Sequence, residues 1–209
     1  MNKFLKRMLT AAVAAAVTAS GMSFASSAEP DESFTELSAE EITNAMGVGW
    51  NLGNQFDASI NGMPDETAWG NPVASQQLIA AVKDAGFDTI RIPVTYMGKI
   101  GAAPDYTVDE AWLDRVQQVV DWSIEEGFYV IINMHHDGSD DDYAWLDCTA
   151  SNQTEITAKY AAVWEQIAEK FKDYDEHLIF ESFNEVGDGR WSGVENPTHY
   201  DNLNNYNQT

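Results

Sequence analysis

The sequence is poor in cysteine and in positive charge. Its 209 residues include one cysteine, Cys148, so a disulfide framework within the chain is excluded and an apolar core has to hold the fold. We expect Cys148 to be an unpaired residue in a loop. Eleven Lys and Arg against 34 Asp and Glu give a formal net charge of −23. This charge argues against nucleic acid and anionic membranes as partners.

Long apolar runs are also missing, because no run after residue 28 could span a bilayer. The N-terminus has three basic residues followed by a mostly apolar segment, Met8 to Ala19, that is too short for a transmembrane helix. Small residues at 26–28 offer a cleavage site. We therefore predict a signal peptide over residues 1–28 and a secreted, extracellular protein with no membrane association after cleavage. A retained N-terminal anchor is the alternative.

No G-x-G-x-x-G or Walker A motif follows a predicted strand, which argues against a nucleotide-binding sheet. What the sequence does contain is a regular alternation of strands and helices. Predicted strands begin near residues 46, 87 and 128, and the last one runs from His177 to Phe183. Helices are predicted from Ser75, Asp109, Thr154 and Asn202. Such a series forms either a doubly wound sheet or a (β/α)8 barrel.

Polar side chains recur where these predicted strands end, which is typical of the active face of a barrel. They are Asn51, Arg91, Asn133 and the pair Asn184-Glu185. We therefore predict an α/β fold in which residues 29–45 are a lead-in. Residues 46–209 then form about four β/α units, the N-terminal half of a (β/α)8 TIM barrel.

Two carboxylates, Glu181 and Glu185, fall in or beside the last predicted strand. They are roughly 13 Å apart along an extended strand, which is too far for a catalytic pair. Glu185 is expected at the mouth of the barrel as an acid, base or nucleophile. Glu181 is expected well inside the strand as a buried structural carboxylate, and Arg91 is its candidate partner.

A metal site is not expected. His135 and His136 are adjacent and follow a strand, where neighbouring side chains point to opposite sides, so they should not share one ion. The acidic stretch Asp140–Asp142 lacks the spacing of a calcium-binding EF-hand loop and is predicted to be a solvated loop. No cofactor is expected either.

Five motifs in order identify a family. They are Gly49-Trp-Asn-Leu-Gly-Asn54, Glu66-Thr-Ala-Trp-Gly-Asn-Pro72, Ile90-Arg-Ile-Pro-Val94, Asn133-Met-His-His136 and Phe183-Asn-Glu185. Together the sequence resembles glycoside hydrolase family 5, most closely its bacterial endoglucanase branch, over about residues 46–191. The resemblance implies a (β/α)8 barrel and a retaining hydrolase that acts on β-1,4-glucan.

The resemblance also implies roles for individual residues. Glu185 matches the general acid/base, Asn184 the residue that binds the sugar 2-hydroxyl, and His135 the histidine on strand three. Arg91 matches the arginine that orients the family's nucleophile, which competes with its pairing to Glu181, and the sequence leaves both open. Substrate-binding residues are expected to be His136, Trp50, Asn51, Asn54 and Trp69.

One departure from the family pattern affects activity. The family's nucleophilic glutamate lies at the end of strand seven, and the sequence ends at Thr209, after strand four. Neither Asp188 nor Glu195 is a convincing substitute. We therefore expect an N-terminal fragment of a secreted endo-β-1,4-glucanase that is inactive by itself and folds poorly. A binding module or a cellulosome attachment could follow in the part that is not present.

Two alternatives stay open. The first is a xyloglucanase, mannanase or xylanase on the same scaffold. The second is a glycan-binding protein without catalytic activity, against which the retention of the polar residues at the strand ends argues.

Overall fold

The computed structural model describes residues 37–138, 142–187 and 196–209. The predicted signal peptide, most of the lead-in and part of the predicted acidic loop at 140–142 lie outside these residues, as do Asp188 and Glu195. Within the described ranges, no helix combines the length and apolar character needed to cross a membrane.

The structure describes five α-helices: α1 (Ala39–Ala45), α2 (Gln76–Asp84), α3 (Glu110–Glu125), α4 (Gln153–Phe171) and α5 (Pro197–Tyr206). All of them except α4 begin after a residue whose side chain accepts a backbone N–H of the first turn. Ser38 forms a capping box with Glu41, and the side chains of Ser75 and Asp109 accept backbone N–H groups of α2 and α3. Two short 3₁₀ helices, Met97–Lys99 and His136–Gly138, follow strands.

Four strands lie side by side, in this order, in one parallel sheet: β1 (Gly49–Asn51), β4 (Thr89–Ile92), β5 (Tyr129–Asn133) and β6 (Leu178–Glu181). Each neighbouring pair is joined through at least one helix, so the predicted α/β alternation is confirmed. On its far edge β6 pairs with no other described strand, and Phe180 of β6 is 44% exposed.

The two faces of the sheet differ in chemistry because side chains alternate along each strand. Four residues on one face are fully buried against the helices: Ile90, Ile92, Val130 and Ile132. The other face carries polar residues at the strand ends. The register sets Asn51 beside Arg91 and Asn133 beside Glu181, so these four side chains share that face.

A second, two-stranded sheet was not predicted. Strands β2 (Ser59–Ile60) and β3 (Met63–Pro64) form an antiparallel hairpin, and both residues of its turn, Asn61 and Gly62, have positive φ angles of 52° and 72°. An Asn-Gly pair is a strong hairpin signal because both residues tolerate positive φ. The strands are so short that their alternation gave no pattern to detect.

Two predicted boundaries were wrong, and one of them changes the site. The last strand was expected to run to Phe183, but β6 ends at Glu181, where its partner β5 also ends. Glu181 is therefore at the carboxyl end of the strand and its side chain is 33% exposed, so it is not buried well inside. Helix α5 begins at Pro197 instead of Asn202, because Asn196 caps it and proline is favoured in the first turn.

Candidate active site

The carboxyl ends of the strands bring Arg91 and Glu181 together. Arg91 donates from Nε to Glu181 Oε2 and from Nη2 to Oε1, each at 2.7 Å, in the two-pronged geometry that favours Arg–carboxylate pairs. The side chains are 23% and 33% exposed. Arg91 therefore pairs with Glu181. This is one of the two partners that the sequence left open for Arg91, the other being the family's nucleophile.

Arg91 also holds two asparagine side chains by their oxygens. Nη1 donates to Asn51 Oδ1 at 3.2 Å, and Nη2 donates to Asn184 Oδ1 at 3.1 Å. Asn184 lies in the loop after β6, and its backbone N–H bonds to the carbonyl of Met134 at 2.8 Å. Since each amide oxygen is turned to the arginine, each amide nitrogen remains as the donor group of that side chain.

The contact between Arg91 and Glu181 shifts the pKa values of both side chains. Burial raises the pKa of Glu181, but hydrogen bonds from Arg91 and Asn133 outweigh this effect, and the net pKa lies below its ordinary value. The hydrogen bond to Glu181 raises the pKa of Arg91, to which the negative charges of Asp57 and Glu185 also contribute. Glu181 is therefore a carboxylate at neutral pH.

Asn133 connects this cluster to the histidines. It is fully buried; its Oδ1 accepts the backbone N–H of Val94 at 3.2 Å, and its Nδ2 donates to Glu181 Oε1 at 3.1 Å. The same Nδ2 lies 3.2 Å from Nδ1 of His135. Burial first, and the neighbouring His136 second, lower the pKa of His135 to about 4.

The two histidines are not separated as predicted. Strand β5 ends before them, and their rings lie 4.5 Å apart in an edge-on arrangement. His136 Nε2 is 4.0 Å from Oδ2 of the buried Asp57, and possible ligand atoms of Asp57, His135 and His136 lie within 4.8 Å of one another. The argument from strand alternation was therefore wrong, while the absence of a bound metal stays a prediction.

Glu185 lies beyond the strand, exposed in the loop that follows β6. With the other described residues it forms no hydrogen bond or ion pair, although its negative charge contributes to the raised pKa of Arg91. A carboxyl group in this position is accessible to a ligand. The role of Glu185 as acid/base stays a prediction.

The two tryptophans predicted to bind substrate lie on different sides of the sheet. Trp69 is 48% exposed, and its Nε1 donates to Ser59 O at 3.0 Å. The centroid of its ring lies 5.6 Å from that of His136, so Trp69 lies beside the two histidines. Trp50 pairs in register with Ile90 and packs against the hydrophobic core on the helix side of the sheet. The prediction that Trp50 lines the cleft is therefore wrong, because side chains alternate and Asn51 takes the other face.

Asn54 is a separate case. It is exposed and has a positive φ of 62°, and its carbonyl accepts a hydrogen bond from Asn71 at 3.2 Å. No contact among the described residues joins Asn54 to Arg91 or the histidines.

Sequence reasoning missed Asp57 and the connecting role of Asn133. Asp57 stands in the buried stretch Gln55–Ala58, and its Oδ1 accepts the N–H of Gln55 at 2.9 Å. An acidic residue between Phe56 and Ala58 is the signal that could have identified it, because a buried carboxylate needs a partner or a function.

A family model described as "Cellulase (glycosyl hydrolase family 5)" matches residues 51–209. The chain belongs to glycosyl hydrolase family 5. Endoglucanase A of Paenibacillus barcinonensis is 55% identical over 173 residues, which are 82% of this chain and 43% of that protein. The chain spans less than half the length of the curated relatives it matches.

Solved structures of family 5 agree with this assignment. A family 5 xyloglucanase from Paenibacillus pabuli superposes with a TM-score of 0.77 at 55% identity, covering 80% of this chain and 46% of that one. A broad-specificity endoglucanase from Bacteroides salanitronis gives 0.74 at 46% identity, covering 78% and 45%. The parallel sheet and its helices are the N-terminal part of the family 5 (β/α)8 barrel.

Proposed function

We propose that this chain is part of an endo-β-1,4-glucanase, a cellulase that hydrolyses internal bonds of β-1,4-glucan. Membership of family 5 and endoglucanase relatives at up to 55% identity support a glucan-directed glycosidase. The observation that carries the proposal is the set of N–H donors at the strand ends, next to an exposed carboxyl group. Sugar hydroxyls accept hydrogen bonds from such donors, and a glycosidase needs a carboxylic acid beside the scissile oxygen.

Within this proposal Glu185 is the general acid/base. Its protonated form donates a proton to the leaving glycosidic oxygen, and its carboxylate then takes a proton from the attacking water. Asn184 is next to it in the chain and is held by Arg91 through its oxygen, so its Nδ2 can donate to a sugar hydroxyl. His135 and His136 lie beside this position, and Trp69 offers an exposed ring on which a sugar can stack.

We propose a retaining mechanism in which Glu181 is not the nucleophile. A retaining pair needs a second carboxyl about 5–5.5 Å from the first, free to attack the anomeric carbon. Both oxygens of Glu181 already accept hydrogen bonds, three in all, from Arg91 and Asn133. The nucleophile is instead assigned to a glutamate of a later barrel strand, as the family resemblance implies.

The experiment compares the chain of 209 residues with the product of the reading frame extended beyond Thr209 on carboxymethylcellulose. Both are made with and without Glu185→Gln. We expect hydrolysis by the extended product alone, with loss of activity in Glu185→Gln on substrates with poor leaving groups. Azide should restore cleavage of an activated aryl glycoside by Glu185→Gln, because a small anion replaces the base. Robust hydrolysis by the 209-residue chain would refute the assignment of the nucleophile.

A xyloglucanase is the second candidate, favoured by the 55% identity to a structure described as a family 5 xyloglucanase. Product analysis on xyloglucan, β-glucan and mannan separates the specificities. A protein that binds glucan without cleaving it, in the extended form, would instead support the non-catalytic alternative.

We further propose that the protein is secreted. The basic and apolar segments of residues 1–28 support a cleaved signal peptide, and N-terminal sequencing of the exported protein tests it. The expected binding module or cellulosome attachment is tested by the same extended reading frame.

A further inference from the structure

The amide of Asn133 can adopt only one orientation in its surroundings. Its Oδ1 faces the backbone N–H of Val94, and its Nδ2 faces a carboxylate oxygen of Glu181. A flipped amide would set an N–H₂ group against an N–H donor and an oxygen against a carboxylate, and both contacts would be repulsive. Because Asn133 is fully buried, no water can relieve such a conflict.

This orientation determines the hydrogen bond to His135. Nδ2 has two protons, of which one goes to Glu181 and the other lies toward Nδ1 of His135 at 3.2 Å. A donor on the asparagine side requires an acceptor on the histidine side, so Nδ1 carries no proton. The backbone fixes the ring further, because His135 N–H donates to Val94 O at 2.7 Å.

We propose that Asn133 is a positioning residue that fixes His135 as the neutral tautomer with its proton on Nε2. The order of contacts is Arg91 to Glu181, Glu181 to Asn133, and Asn133 to His135. Each partner fixes the orientation of the next: the guanidinium keeps the carboxylate ionised, the carboxylate selects the amide orientation, and the amide selects the imidazole tautomer.

The tautomer has two consequences for the site. His135 presents an N–H donor at Nε2, which matches a hydroxyl or ether oxygen of a sugar; this consequence rests on the proposed function. The same proton makes His135 a poor metal ligand at Nε2, although Asp57 and His136 lie close by. A metal ion would have to displace that proton and break the bond from Asn133.

The test is a long-range ¹H–¹⁵N correlation spectrum of the histidine rings in the product of the reading frame extended beyond Thr209, with His135 assigned by His135→Gln. At neutral pH we expect the pattern of an Nε2–H tautomer for His135. In Asn133→Asp the buried carboxyl group shares one proton with Glu181, and its oxygen turns an accepting lone pair toward His135, so the pattern should change to Nδ1–H. In Asn133→Ala the donor is lost, and the two tautomers should mix.

Glu181→Gln is the matched control: the backbone N–H of Val94 still holds Oδ1 of Asn133, and the oxygen of glutamine can still accept from Nδ2, so the tautomer of His135 should persist. An Nδ1–H pattern in the wild-type protein would overturn the proposal. So would an Nε2–H pattern that is unchanged in both Asn133 variants, because Asn133 would then not determine it. No substrate is present, so this outcome is independent of whether the protein cleaves glucan.

Discussion

The Glu181→Gln substitution measures how much the Arg91–Glu181 pair contributes to stability. Glutamine keeps the shape of the side chain but replaces one accepting oxygen with N–H₂. If its oxygen stays toward Asn133 and Arg91 Nη2, the 2.7 Å bond from Arg91 Nε to Oε2 is lost. The bond from Nη2 loses its charged acceptor.

The magnitude follows from these contacts. Hydrogen bonds to charged groups contribute about 1.5–3 kcal/mol and neutral ones about 0.5–1.5 kcal/mol. One charged bond lost and one weakened would cost about 3 kcal/mol if the pair were fully buried. The glutamate side chain is 33% exposed, and solvent screening reduces the expected loss to about 2 kcal/mol.

The effect depends on pH with a definite sign. The pKa of Glu181 in the folded protein lies below its ordinary value of 4.5, so the native state favours the carboxylate. The contribution to stability is therefore complete above about pH 4.5 and is lost as the pH falls through the lower folded-state pKa. The difference between wild type and Glu181→Gln should shrink on acidification.

Urea unfolding of both proteins at neutral pH, and at a pH below the ordinary glutamate value, checks this prediction. Glu165→Gln is the matched control: Glu165 is exposed on α4, and its change should stay within about 0.5 kcal/mol at either pH. The reasoning is wrong if Glu181→Gln costs no more than this control at neutral pH. It is also wrong if the cost is the same at both pH values.

Three further predictions concern steric fit, the two tryptophans and the thiol. Gly98→Ala should lower the melting temperature, because the added Cβ would lie 2.3 Å from the backbone oxygen of Gly62 in the β2–β3 hairpin, and an overpacked site costs about 1–3 kcal/mol. In the control Gly53→Ala the added Cβ meets no atom within 4 Å, so the melting temperature should hardly change. Trp69→Ala should weaken retention on a glucan affinity gel and change the melting temperature little. Trp50→Ala should lower the melting temperature and leave retention nearly unchanged. Equal effects of the two substitutions on retention would contradict the assignment of Trp50 to the helix side of the sheet. Cys148 is 1% exposed, so a thiol reagent should label it only after denaturation, and fast labelling of the native protein would show that the loop is open.

Local patterns were enough to predict most of the elements. The helices from Gln76 and Glu110 follow from apolar spacing and capping residues, the helix from Gln153 follows from apolar spacing alone, and the strands ending at Ile92 and Asn133 follow from apolar runs. These signals are local in the chain, because a cap or an amphipathic face is set by residues a few positions apart. The hairpin was missed because each of its strands has two residues and shows no alternation, and the end of β6 was missed because strand length depends on the partner strand.

The candidate site was predicted in part. Arg91 contacts Asn184, Asn133 connects His135 to Glu181, and Trp69 lies beside His136; the roles of these residues stay predictions. Trp50 was assigned to the wrong face, because its motif was taken as a unit although neighbouring side chains on a strand point to opposite sides. Asp57 was not found, since nothing near it in the sequence shows that it meets His136, 79 residues further on.

The sequence by itself determined the family, the α/β alternation and the residue types available for chemistry. The tertiary structure alone decided which of these side chains form hydrogen bonds with one another. Parallel register places Asn133 beside Glu181, and a loop contact places Asn184 beside Arg91. Hydrogen bonds act over about 3 Å, whereas Arg91 and Glu181 are 90 residues apart in the chain. Only the folded sheet brings them within that distance, and only then are the orientations of Asn133 and His135 fixed.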